Sequence, residues 1–309
     1  MQNTKTIPVV RHRQKEIWQD KLFHAVNLFL VALLLLVMLY PLYLVIICSI
    51  SDANLVSRGL ITVVPRGITF TGYQAILENA SIWRGYLNSI IYTLLGTLLS
   101  LAVTMGSSFA LSQRFPGKKV FSLVFVITMF FNGGLIPTFL TVRNIGLYNK
   151  PAICVLMGCV SVWNVMLART YIKTTIPEAL YEAAKLDGAT QTQIFFKIVL
   201  PLCGTIIAVL SVYYGVDRWN DYWTGMIYLK TRDYLPLQTV LKSILASLEA
   251  SSELLDTMQD FSANDGEILQ RAQVAKYCII VVSTVPAVLL YLVMQKYFVK
   301  GVMIGSIKG

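Results

Sequence analysis

The sequence predicts an all-α membrane protein with six transmembrane helices, and three observations carry that prediction. Of its 309 residues 56% are apolar and only 14% are charged, against about 25% charged in ordinary globular domains. Mean hydropathy is +0.63, and six apolar stretches come close to or exceed the roughly 20 residues a helix needs to cross a hydrocarbon core. The third observation is a one-sided distribution of Lys and Arg between the segments joining those stretches.

Residues 1–22 form a basic arm carrying Arg11, Arg13, Lys15 and Lys21, with Trp18 and Phe23 placed to sit at headgroup level. The first span, 23–47, is longer than the apolar core of a signal peptide. No small-residue cleavage site follows it, so it is expected to stay in the mature chain. Residues 48–86 hold turn formers (Ser51-Asp52-Ala53-Asn54, Pro65-Arg66-Gly67) and a short surface helix over 70–77. The second span is 87–112, and the tight turn Arg114-Phe115-Pro116-Gly117-Lys118-Lys119 leads into the third, 120–142. That span contains Asn132-Gly133-Gly134-Leu135-Ile136-Pro137, which either unwinds the helix against a cavity or ends it before a loop. The fourth span is 151–172, the fifth 202–229 and the sixth 277–294, all within a permeation unit running over 23–299.

Two connecting segments are large. The first, 173–201, is a polar hairpin. The second, 230–276, carries helical apolar spacing at Val240, Leu241, Ile244, Leu245 and Leu248, and then the acids Glu249, Glu253, Asp256, Asp260, Asp265 and Glu267. Connectors of this length are functional or disordered, and an acidic run is usually a solvated face. A tail, 300–309, closes the chain.

Charge orients the six spans. With the amino terminus inside, fifteen Lys/Arg fall in the inner segments, ten in the longer outer ones and one, Arg218, within the membrane. Lys/Arg bias sets topology, so both termini and the 173–201 hairpin are expected in the cytoplasm. Nearly the whole net charge of +10 then lies on the face that meets anionic lipid, so nucleic acid is not needed to explain it. All five cysteines lie in or at the edges of spans without metal-site spacing and read as small packing hydrophobes. His12 and His24 are the only histidines, which removes histidine-based metal or catalytic chemistry. There is no Gly-rich phosphate loop with Lys-Ser/Thr, so ATP is not expected to bind this chain, and no cofactor is implied.

The hairpin is the most specific feature. Thr175-Ile176-Pro177-Glu178 has the spacing of a capping box, followed by a helix over 178–187 with Leu180, Ala183, Ala184 and Leu186 near one face. Gly188 is placed to end that helix in the left-handed conformation. Thr190-Gln191-Thr192-Gln193 offers a second box, and Ile194, Phe195, Ile198 and Val199 supply the next apolar stripe. Small residues allow close approach of another surface, and Glu182 and Asp187 supply charged contacts. The competing reading is an amphipathic hairpin lying flat on lipid, which two acids facing an anionic leaflet disfavour.

The fifth span holds Asp217-Arg218-Trp219-Asn220-Asp221-Tyr222-Trp223. Charges in hydrocarbon cost at least roughly 2.5–3.5 kcal/mol each, so they must face a partner, a cavity or water. The spacing of Arg218 with Asp221 and Asp217 predicts local neutralisation. Trp219, Tyr222 and Trp223 form either an interfacial aromatic belt or part of a sugar path in which rings stack on pyranose faces while Asn220 and Asp221 bind hydroxyls. Trp163-Asn164 repeats the pairing of an aromatic with an amide, and Asn132 is a further candidate.

Glu182-Ala183-Ala184, three residues, Gly188, nine residues, Ile198, one residue, Leu200-Pro201 resembles the EAA motif of importer-type ABC transporter permeases at every defined position. The six-span layout, the 132–137 segment, Trp219-Asn220-Asp221 and the Lys300–Gly309 tail are similar to carbohydrate-importer permeases of the maltose-type class. This resemblance implies a non-catalytic subunit of the bacterial inner membrane. Its partners would be a paralogous permease, two ABC ATPase subunits and an extracytoplasmic solute-binding protein. Residues 178–201 would couple to the ATPase through Glu182, Ala183, Ala184, Asp187 and Gly188. Lys308 and Gly309 would reach the ATPase dimer, and the 230–276 loop would meet the binding protein. Three other readings stand beside it. One is a permease for peptides or polyamines. A second is an ion-coupled transporter using Asp217 and Asp221, which lacks the expected inverted repeats. The third is an intramembrane enzyme, for which no metal set or nucleophile pair is present.

Overall fold

In the computed structural model, residues 18–131, 133–257, 274–289, 291, 292 and 295 are described, and every regular element among them is helical. Asn132, residues 1–17 of the basic arm, residues 258–273 and the tail lie outside the described residues. The chain opens with α1 (Trp18–Ser49), about 48 Å long at 1.5 Å per residue. Two short helices follow, α2 (Ala53–Ser57) and α3 (Thr71–Leu77), and then the second long helix, α4 (Ala80–Ser112). Next come α5 (Lys118–Phe130), α6 (Leu135–Asn144), α7 (Ala152–Leu156) and α8 (Val162–Thr175). The hairpin consists of α9 (Glu178–Leu186), α10 (Gln191–Ile194), a π-helical turn Phe195–Val199 and α11 (Leu200–Leu202). It leads into α12 (Gly204–Asn220), α13 (Trp223–Tyr228), α14 (Leu237–Thr257) and α15 (Val274–Leu289).

Among the described residues, α1 and α4 are each long and apolar enough to cross a membrane alone. The pairs α5 with α6 and α10–α11 with α12 qualify only when taken together, bent by 114° and 80°. The bend between α5 and α6 interrupts the expected third span, and two more expected spans are interrupted as well. The fourth breaks between α7 and α8, where Gly158 takes φ +67 and Ser161 caps α8 by accepting from Asn164 N at 3.4 Å. The fifth breaks after Asn220, where Asp221 turns extended and its Oδ1 accepts from Thr224 N at 3.1 Å. A hydropathy window sees neither break, because both interrupt the backbone without interrupting the apolar run.

Helix α4 is the central element. Its buried stripe, spaced by three or four, includes Gly85, Ser89, Gly96, Ser100, Thr104 and Ser108, and α7, α8, α12 and α14 pack against it. In lipid, small residues let helices approach until backbones and hydroxyls meet. Here Ser108 Oγ donates to Val165 O at 2.9 Å, the Thr104 and Tyr214 hydroxyls lie 2.7 Å apart, and Leu237 N donates to Ser89 Oγ at 2.8 Å. By contrast α1 buries only Ile47, Cys48 and Ser49.

Candidate functional site

The hairpin forms for local reasons that its sequence states. Helix α9 ends in a double C-terminal closure: Gly188 N donates to Lys185 O at 3.0 Å and Ala189 N to Ala184 O at 2.9 Å. This is the Schellman arrangement, and it needs a left-handed residue. Gly188 supplies one with φ +75, and a β-carbon there would have nothing within 4 Å, so backbone strain and not space calls for glycine. The second predicted box is present: Thr190 N donates to Gln193 Oε1 at 2.8 Å and Gln193 N to Thr190 Oγ1 at 3.3 Å. The first box is not. Thr175 closes α8, α9 starts after Pro177 without a side-chain cap, and Glu178 instead pairs with Arg114 at 2.8 Å.

The hairpin is tied to the bundle on one side and open on the other. Ala184, 8% exposed, belongs to a core cluster with Met105, Ala168, Ile172, Ile194, Val199 and Cys203. That cluster joins α4, α8, α9, the π turn and α12, so the hairpin is packed into the bundle as one body. Glu182, Ala183, Lys185, Asp187 and Gly188 are exposed. Leu186 was expected on the apolar face, but it stands 89% exposed at the tip, because the helix turn that buries Ala184 faces it outward. Between α9 and the ends of α4 and α8 lies a cavity of about 550 Å³ lined by Gln113, Arg114, Lys173, Tyr181, Glu182 and Lys185. Burial pushes the Tyr181 phenol above its ordinary value and keeps it neutral.

The candidates of the fifth span divide over two faces of α12. Arg218 and Trp219 are buried; Asp217 and Asn220 are exposed. Trp219 Nε1 donates to Ser283 O at 3.1 Å and its ring meets Tyr86 at 6.1 Å, so this side chain is a core contact and no open stacking platform. Arg218 makes no ion pair among the described residues, contrary to the expected neutralisation by Asp217 and Asp221. Its guanidinium donates to Cys154 O at 2.6 Å and Ser100 Oγ at 3.4 Å. Asp221 is engaged in the turn, and Tyr222, half-buried, stacks on Trp223 at 5.0 Å. Trp163 is 63% exposed while Asn164 beside it is buried, so the two do not share a surface.

A residue that sequence reasoning missed completes a stripe. Tyr213, Asp217 and Asn220, spaced by four and three, are all exposed on α12, and polar groups on a membrane helix face a partner or water in preference to lipid. The spacing was visible in the sequence. Which face of the helix is open was not.

Residues 102–225, from the middle of α4 through the hairpin into α13, match the family model described as "Binding-protein-dependent transport system inner membrane component". The chain is 32% identical over 275 residues to the polygalacturonan/rhamnogalacturonan transport system permease protein YtcP of Bacillus subtilis (strain 168), over 89% of this chain and 94% of that protein. A crystal structure of a bacterial ABC transporter involved in the import of the acidic polysaccharide alginate contains a chain of the same fold. It has TM-score 0.80 and 30% identity, and the match covers 92% of this chain and 99% of that one. Another alginate transporter structure, in complex with alginate pentasaccharide-bound periplasmic protein, matches at TM-score 0.55 and 16% identity over 91% and 95% of the two chains, a likeness of fold alone. Its length, its hairpin within the matched region and its fold all agree with these permeases, and the chain belongs to the binding-protein-dependent inner membrane components, the multi-pass, non-catalytic permease subunits of ABC importers.

Proposed function

We propose that this permease serves an importer of sugars or oligosaccharides, and that its hairpin transmits the motion of an ABC ATPase to the membrane bundle. The cargo class is supported by the relatives, a polygalacturonan/rhamnogalacturonan permease and a transporter involved in alginate import. In this reading the chain crosses the membrane six times, with both termini and the hairpin in the cytoplasm, as the Lys/Arg bias favours. The spans are α1, α4, α5 with α6, α7 with α8, α12 with α13, and α15.

One observation carries the coupling role: Ala184 is locked into the core that joins α4, α8 and α12, while Leu186, Asp187 and Gly188 on the next turn stand free. A push on the free side is passed to the bundle without a hinge. Glu182, Ala183, Asp187 and Gly188 meet the ATPase, Leu186 is the apolar anchor, and Ala184 acts through packing. Tyr213, Asp217 and Asn220 face the translocation path with Trp163, opposite a paralogous permease that also covers the open flank of α1. An extracytoplasmic binding protein delivers the sugar, and the 230–276 loop and Lys308–Gly309 tail supply its remaining contacts with binding protein and ATPase.

The test is a pull-down of the ATPase with full-length permease carrying Gly188→Pro or Leu186→Asp, together with uptake of labelled oligogalacturonides into cells. The expected result is loss of both ATPase retention and uptake. Undiminished retention and uptake contradict the coupling role. Uptake of a peptide or polyamine in place of sugar contradicts the cargo class alone.

A further inference from the structure

At the hairpin end of the bundle α5 lies against α8, leaving a groove of about 490 Å³ lined by Lys118, Lys119, Ser122, Leu123, Val126 and Arg169. Its two ends differ in chemistry. The upper end holds three cations, and a continuing surface adds Arg114. The lower end is Leu123 and Val126, both exposed apolar side chains on a helix whose neighbours Phe121, Val124 and Ile127 are also exposed. From Lys118 to Val126 the groove extends roughly 12 Å along the helix axis.

Three details distinguish it from a merely basic surface. Among the described residues, none of Lys118, Lys119 and Arg169 forms an ion pair; the one acid at this end that does, Glu178, is taken by Arg114. Lys118 Nζ is held in place by the carbonyls of Ser112 and Gln113 at 3.2 and 2.7 Å, and Arg169 Nε by the Leu111 carbonyl at 3.0 Å, so two of the three cations are fixed in place beside the exposed Lys119. Between the cations and the apolar floor sits Ser122, whose Oγ is buried without a hydrogen-bond partner. A buried hydroxyl left unpaired is unfavourable and is normally satisfied by something.

We propose that this groove binds one anionic glycerophospholipid, its phosphate among Lys118, Lys119 and Arg169, its glycerol ester against Ser122 and an acyl chain over Leu123 and Val126. The order of the chemistry, cation then hydroxyl then hydrocarbon, follows the order of those groups in a lipid entering the leaflet from the headgroup side. An acidic segment of a partner protein would satisfy the cations but would leave the Leu123–Val126 floor unused. The lipid binds between α5 and α8, the helix that leads into the hairpin, so its occupancy would hold α5 against α8.

Native mass spectrometry of the full-length protein, released from detergent and titrated with phosphatidylglycerol or phosphatidylcholine of the same acyl chains, tests this. The expected result is about tenfold tighter binding of phosphatidylglycerol, reduced roughly fivefold by Lys119→Gln, since each cation near an anionic surface contributes at about that level. Ser122→Leu should lower it too, by filling the groove, while Lys150→Gln, a distant exposed cation, should leave it unchanged. Excess inorganic phosphate should not displace the lipid. Equal binding of the two lipids, displacement by phosphate, or an equal effect of Lys119→Gln and Lys150→Gln would overturn the proposal. So would a Lys119→Gln protein that keeps its phosphatidylglycerol but loses its ATPase. None of these outcomes bears on the coupling role of α9, which Gly188→Pro tests separately.

Discussion

The guanidinium of Arg218 donates to the carbonyl of Cys154 at 2.6 Å across 64 positions of sequence. The carbonyl is free because α7 stops at Leu156, before the helix can pair it, and a helix end leaves its last carbonyls without partners. The Arg218 side chain passes close against Gly96, where a β-carbon would come within 3.0–3.2 Å of its Nε, Cζ and Cδ. One buried cation thus joins α4, α7 and α12 through a broken helix and a missing side chain.

Gly96 and Arg218 should therefore be coupled energetically. Gly96→Ala should destabilise the purified transporter by about 1–3 kcal/mol through overpacking. In an Arg218→Met background the same change should cost less, with a coupling energy of about 0.5–3 kcal/mol. Thermal unfolding of the four proteins in detergent measures this, and an equal cost of Gly96→Ala in both backgrounds would contradict it.

At Gly188 the demand is on the backbone alone. Gly188→Ala should cost about 1–2 kcal/mol of hairpin stability for a left-handed residue with a β-carbon, and Gly188→Asn should cost less because Asn tolerates that region. Limited proteolysis of the 186–190 turn should follow the order Ala, Asn, wild type. A reversed order, or no difference, would show that the turn is not what holds α9.

Leu186 and Glu178 should behave oppositely to their chemistry. Leu186→Ser should leave thermal stability within about 0.5 kcal/mol, since the side chain touches little in this chain, yet weaken ATPase retention at least tenfold if it is an interface anchor. Glu178→Gln breaks an ion pair with Arg114, but both side chains are mostly exposed, and pairs of that kind contribute little. It should leave stability and ATPase retention near wild type.

On α12, Asp217→Asn and Tyr213→Ala should lower sugar uptake while leaving assembly with the ATPase intact, as expected for groups on the open face. Trp219→Ala should lower assembly and uptake together, because it removes a buried ring and its bond to Ser283. Uptake unaffected by Tyr213→Ala and Asp217→Asn would remove this face from the path.

What could be read from the sequence was what is decided locally. The Thr190–Gln193 box, the left-handed Gly188 and the buried stripe through Ile194 and Val199 depend on residues within one turn of each other, and all are present. What could not be read depended on the rest of the bundle. Asp221 lies at ideal spacing from Arg218 on a continuous helix, but the helix stops there and Asp221 caps the next one. Trp219 carries the same ring as Trp223, but the packing of α12 against α4 and α15 buries Trp219, while Trp223 opens α13 beyond the break and stands exposed. Leu186 looked apolar and therefore inward, but a two-turn helix has one buried face, and Ala184 occupies it.

The most direct test of the account places a photoreactive side chain at position 186 in the assembled transporter in native membranes. The account predicts an adduct with the ATPase chain whose yield changes when ATP is bound and not hydrolysed, and no such adduct from a probe at exposed, bundle-side Leu98. Cross-linking of position 186 to lipid or to the binding protein, with the ATPase untouched, would contradict it.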